Sequence, residues 1–245
     1  MSLSTRALLN ETGAELTKSF RAPEFVLPTL LMPTTFYLLF GVMLSQSGGA
    51  AAYLLATYGV FAVMGPSLFG FGAGVASERE RGWLSLKRTA PVPGYLHVAA
   101  RLAATVLFGA LALLPLYAAA GFAGDVALAR SDWAVLLACH VLAVVPFSLL
   151  GLAIGFTFGA NAAVAVANLA FLGLAVLGGL WFPASMFPDG LRAVGQALPS
   201  YHLAEVALAV VRPEPDRNVL VHLAIILATT GLLGALAAWR WSRQA

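Results

Sequence analysis

Charge is scarce in this chain. Only 10% of its 245 residues are Asp, Glu, Lys or Arg, against 60% hydrophobic. A soluble domain averages about 25% charged residues, so an ordinary water-soluble fold is excluded before any motif is read. Cysteine is nearly absent: Cys139 stands alone inside an apolar run, which excludes an internal disulfide framework. The four histidines, His97, His140, His202 and His222, have no metal-ligand spacing. No Gly-x-x-x-x-Gly-Lys-Ser/Thr occurs to cradle a nucleotide phosphate. The glycine-rich Gly70–Ala76 has no lysine and ends an apolar run, where small residues serve close helix packing. The N-terminus lacks the early apolar core and cleavage site of a secretory signal. No basic tract points to nucleic acid.

What is present is long apolar runs. Six segments, at about 26–44, 51–76, 98–122, 133–157, 163–182 and 219–239, each approach or exceed the roughly 20 residues needed to cross a bilayer. Period-2 alternation of the barrel kind is missing, so the expected fold is an all-α integral membrane protein with six transmembrane helices. Residues 1–25 are polar, with Leu8, Leu9, Leu16 and Phe20 as a weak apolar stripe. They read as an interfacial helix ahead of a membrane domain over 26–245.

Bases set the expected orientation. With the N-terminus inside, ten of the 14 Lys and Arg fall on the cytoplasmic side, counting Arg101 at the edge of the third span. Arg130, Arg192, Arg212 and Arg217 fall outside. Both termini are thus expected in the cytoplasm of a multi-pass cell (inner) membrane protein. Between the fifth and sixth spans, about 183–211 is too polar to cross and too apolar for a plain loop. It reads as a re-entrant or interfacial pair of short helices, with Asp189 as N-cap of the first.

The densest charge lies at Ser77–Val92, SERERGWLSLKRTAPV. Residues 77–89 are expected to form a short helix that Pro91 and Pro93 stop. On it Glu80, Trp83, Leu84 and Lys87 share one face, and Arg81, Ser85 and Arg88 another. An aromatic and a leucine among mixed charges suit a protein contact. A solvated positive-inside loop with Trp83 in the headgroup belt is the alternative on the residues alone.

That stretch resembles the intracellular coupling helix of type-2 ABC transporter permeases: Glu78, Glu80, Gly82, Leu84 and Leu86 fall on the family pattern. Trp83 replaces the commoner Thr, and Ala90 separates Thr89 from Pro91. LTKSFRAPEFVLPTLLMPTTFYLLFG is similar to the family's connecting helix and entry to the first span. GGLWFPASMFPDGLRAVGQALPSYHLAEVAL is similar to its segment before the last span. The resemblance implies a permease subunit that pairs with a second copy as a homodimer or with a relative. It also implies two ATP-binding cassette subunits docked on the coupling helices, with ATP and Mg on those partners and no cofactor in this chain. Expected partner contacts are Glu78, Glu80, Arg81, Trp83, Leu84, Lys87 and Arg88.

Ionisable groups at mid-membrane are expensive and mark ion pathways, and the spans hold almost none. An apolar or amphiphilic cargo (drug, antibiotic, lipid or lipid-linked glycan) fits that interior, with export as the family's usual direction. His140 and Asn168 are the candidate pathway residues; packing against a neighbour is the other role open to His140, and helix bridging the other role open to Asn168. A non-transporting membrane subunit of a sensing or assembly complex would share this layout. An intramembrane hydrolase built on Ser67 and His140 lacks both a Gly-x-Ser-Gly turn and an acidic orienter.

Overall fold

The computed structural model describes residues 3–44, 48–83, 93–215 and 217–243. Among them all regular structure is helical. Helix α1 (Leu3–Phe20) lies apart from the spans in sequence and packs chiefly on α4. Helix α2 (Pro23–Phe36) opens on a proline and runs into a π-helical stretch, Tyr37–Met43. Then follow α3 (Gly48–Glu80), α4 (Gly94–Ala123), α5 (Arg130–Leu142), α6 (Val144–Thr157) and α7 (Ala160–Leu177). A 3-10 turn at Ala184–Met186 leads to α8 (Asp189–Gly195), α9 (Pro199–Val211) and α10 (Val219–Ser242). Among the described residues six segments are long and apolar enough to cross a membrane: α2 with its π stretch, α3, α4, α5 with α6, α7, and α10.

Several boundaries have local causes. The fourth span is broken at Ala143 because Pro146 has no N–H to give Leu142 O, so the ladder restarts as α6. The fifth span stops at Leu177, short of the expected 182, because Gly178 follows and Gly179 takes φ +75°, a conformation glycine adopts without steric cost. Asp189 is the first helical residue of α8 and pairs with Arg192; Pro188 takes the cap position. Pro199 opens α9, where its missing N–H costs nothing. Asn218 caps α10, accepting from the Val221 N–H at 3.3 Å.

Helix α3 is the central post, buried along most of its length and packed most extensively on α6. The two helices touch backbone to backbone. A Cβ at Gly151 would stand 2.9 Å from Ser67 O, and one at Gly155 2.7 Å from Phe71 O. This is the small-xxx-small approach of membrane helices, in which van der Waals contact replaces a hydrophobic drive. Aromatics fill the far side of α3: Phe61 packs on Phe171 at 5.0 Å and on Trp181 at 5.5 Å between centroids.

One polar knot sits inside the packing. His140 of α5 is fully buried, with Nε2 2.9 Å from Ala56 O and Nδ1 2.9 Å from Tyr117 Oη. A carbonyl only accepts, so Nε2 carries the proton and Nδ1 accepts from the tyrosine. The ring lies where a Cβ at Gly59 would be. His140 thus ties α3, α4 and α5 together. Ser67 stands eight residues beyond Gly59, about 12 Å along the helix, and its hydroxyl donates to Val63 O at 2.7 Å. The two do not form a catalytic pair.

The bundle has two distinct ends. At one, α1, the last turn of α3, the start of α4, the α6–α7 turn and the end of α10 meet. At the other, α9 joins α10. His202 Nδ1 lies 2.8 Å from His222 Nδ1, with Tyr201 against both rings, and Arg217 Nε donates to Glu205 at 2.8 Å.

Two outcomes follow. Gly59→Ala forces the His140 ring aside and should cost about 1–3 kcal/mol, read as a lower unfolding midpoint in detergent. Adding His140→Ala vacates that volume, so the double variant should lose less than the sum of the singles. The second concerns acid. The short His202–His222 bond needs one neutral donor and one neutral acceptor. Burial, then the charge of His222, lowers the His202 pKa, so unfolding takes up protons. Its contribution is whole above the unfolded value of about 6.5 and declines as pH falls below it. Between pH 7.5 and 5.5 the wild-type midpoint should drop further than that of His202→Gln.

Candidate functional site

The charged stretch at the end of α3 does not begin a separate helix at Ser77. Helix α3 runs through Glu80, Arg81 N–H bonds back to Ser77 O at 3.1 Å, and Gly82 at φ +73° ends it. A left-handed glycine just past a helix is the commonest C-terminal stop. Trp83 comes next. Leu84, Lys87 and Arg88 lie outside the described residues.

Three consecutive side chains here reach four different elements. Glu78 accepts from Arg101 Nη2 of α4 and from Lys18 Nζ of α1 through the same oxygen. Arg101 also donates to Glu15 of α1, with Nη2 3.2 Å and Nε 3.3 Å from Oε2. Only 7% exposed, Arg101 is a cation shared by two carboxylates, and its five fixed donors allow that bridging. Burying such a charge is tolerable because it is paired on both sides. Arg79 Nη2 donates to Phe158 O at 2.8 Å, the residue that ends α6. Glu80 Oε1 accepts from Ala160 N–H at 2.8 Å, the first residue of α7.

The expected partner-contact residues therefore divide. Glu78 and Glu80 are engaged within the chain, although Glu80 keeps an exposed surface. Arg81 and Trp83 face outward, Trp83 being 53% exposed. Both line a cleft of about 410 Å³ between α1 and the end of α3, floored by Ala14, Gly74 and Ser77.

The two pathway candidates also divide. His140 is enclosed as described. Asn168 lies on the exposed face of α7, with its amide donating to Val164 O at 3.0 Å. It lines a cleft of about 300 Å³ with Pro28 and Met32 of α2, Phe61 and Phe69 of α3 and Phe171. No titratable side chain is among the residues described at that cleft. Among the described residues no group of three or more His, Cys, Asp or Glu is placed to hold a metal.

Two features were missed by sequence reasoning. Arg101, in the sequence only one more base at the edge of the third span, is the hub holding α1 to α3. The signal was its place one turn inside an apolar helix, where a lone cation needs partners. The His202–His222 pair spans 20 residues across a loop, and no local pattern announces it.

The whole chain has relatives that bear on this site. Residues 6–239 match the ABC-2 family transporter protein. The protein named "Putative transport permease YvfS" of Bacillus subtilis (strain 168) is 29% identical over 227 residues, covering 90% of this chain and 92% of that one. A family match spanning all six helices, with a clamped charged turn at one end, shows that the chain belongs to the ABC-2 transporter family, the membrane subunit of a system whose ATP-binding cassette is a separate partner.

Proposed function

We propose that the chain is the permease of an ATP-driven exporter of apolar or amphiphilic compounds. The observation that carries this is the cleft between α2, α3 and α7. It is walled by three phenylalanines, two prolines, a methionine and small residues, with Asn168 and Thr29 as its polar side chains. Such a surface accepts a hydrocarbon or aromatic body and offers a few hydrogen bonds for orientation, the usual make-up of a small-molecule site. A pathway for ions or protons would call for charge that this wall does not carry.

ATP and Mg belong to the partner in this reading. Two ATP-binding subunits dock at the end of α3, with Trp83 as anchor beside the α1–α3 cleft. Arg81, and the expected contacts Leu84, Lys87 and Arg88 beyond the described residues, add charge and area. An exposed tryptophan rimmed by charge is the composition of an interface centre. A second permease copy completes the pathway as a homodimer, packed through the exposed faces of α2 and α7. The excess of bases at the α1 end supports an orientation with that end, and both termini, on the cytoplasmic face of the cell membrane.

Trp83→Ala should leave the permease folded and inserted but weaken recruitment of the ATP-binding subunit. A loss of about 2 kcal/mol corresponds to roughly thirtyfold in affinity. Co-purification, with membrane level as control, reads this directly; normal recruitment would make Trp83 a headgroup anchor only. Topology has its own check. In a Cys139→Ala background, a cysteine at Pro215 should react with an impermeant thiol reagent in intact cells, and one at Thr5 should not.

A further inference from the structure

The turn between α6 and α7 is held by side chains of another helix. Arg79 takes the carbonyl that closes α6, and Glu80 takes the amide that opens α7. The first amides of a helix have no partner within it, and a carboxylate there also meets the positive end of the helix dipole. Glu80 thus acts as the cap of α7 from 80 positions away in sequence. The fit is specific. The residue at the cap position is Gly159, which has no side chain to do this itself. A Cβ there would stand 2.6 Å from Glu80 Oε1, so a larger residue would expel the carboxylate.

Glu80 is also held from behind. Two residues earlier, Glu78 is anchored to Arg101 and Lys18, so the reach of Glu80 toward α7 is set by a fixed last turn of α3. Helix α7 is a single 18-residue helix with no internal proline. It buries Ala163, Ala167, Leu174 and Ala175 and leaves much of its other surface open. Asn168 and Phe171, which wall the cleft, lie two to three turns beyond Ala160 on this same rod.

We propose that Glu80 is the positioning residue that carries movement of the Trp83 turn into α7. Displacement of Trp83 by the ATP-binding partner moves the end of α3. Glu80 draws the first turn of α7 with it, and the unbroken helix transfers that shift to Asn168 and Phe171. The proposal rests on the docking role given to Trp83 above. It assigns Glu80 a task distinct from docking, since the oxygen it uses is taken up by the Ala160 N–H.

The test uses the permease in complex with its ATP-binding subunit in lipid nanodiscs. An environment-sensitive fluorophore is placed on a cysteine at Asn168 in the Cys139→Ala background. In the parent, MgATP should shift the probe's emission. Glu80→Ala should cut the amplitude of that shift at least fivefold, while the partner still co-purifies and the nucleotide-free spectrum is unchanged. Glu80→Gln, whose amide oxygen accepts from the same N–H, should retain more than half. Gly159→Ala, which excludes the carboxylate without touching it, should reproduce the loss and serves where Glu80→Ala folds poorly. A full ATP response in both Glu80→Ala and Gly159→Ala overturns the proposal. So does a parent whose probe ignores ATP, or a Glu80→Ala complex that loses its partner, which would move Glu80 to the docking face. Retention of the partner by Trp83→Ala is a separate result that removes the docking reading alone.

Discussion

The close approach of α3 and α6 is the constraint on which the bundle rests. In lipid, apolar side chains gain nothing by leaving apolar surroundings, so helices are held by the number of atoms in contact. Gly151 and Gly155 bring backbone against backbone, within reach of Ser67 O and Phe71 O. That spacing fixes α3 as a rigid post. The aromatic contacts to Phe171 and Trp181, the His140 knot and the charged turn at Glu80 are all mounted on it.

The polar clusters of the bundle sit where their members find partners. Inside, His140 uses both ring nitrogens. At one end, Arg101 is shared by Glu15 and Glu78; at the other, Arg217 is held by Glu205 and Glu214. The middle of the cleft wall is left to phenylalanine, proline and one amide. Charge at the ends fixes how helices meet, and the cleft wall between them carries none.

Much of this was legible in the residues. Six apolar runs and a punctuated segment before the last one sufficed for element order, and the Gly178–Gly179 pair was a readable stop that the expected fifth span overran. What escaped were the contacts made across the sequence. Glu78 and Glu80 sit in a run of charge that looks made for solvent or a partner. Their actual partners, Arg101, Lys18 and the Ala160 amide, are between 20 and 80 positions away. The same holds for His140, which is a candidate pathway residue until Gly59 is seen to make room for its ring. Local pattern reports which residues must be buried or exposed. It does not report whose backbone will need a cap.

The spans differ widely in length, and the membrane must answer to that. Helix α3, at 33 residues, is about 50 Å long, while α7, at 18, is about 27 Å. The hydrocarbon of an ordinary bilayer is about 30 Å thick. The long helix projects beyond it, but the short one falls at or under it, and a bilayer beside a short helix thins at a modest cost per ångström. The π stretch of the first span acts in the same direction, since a wider coil advances less per residue. Wherever α7 meets lipid directly, a bilayer thinner than average matches it best.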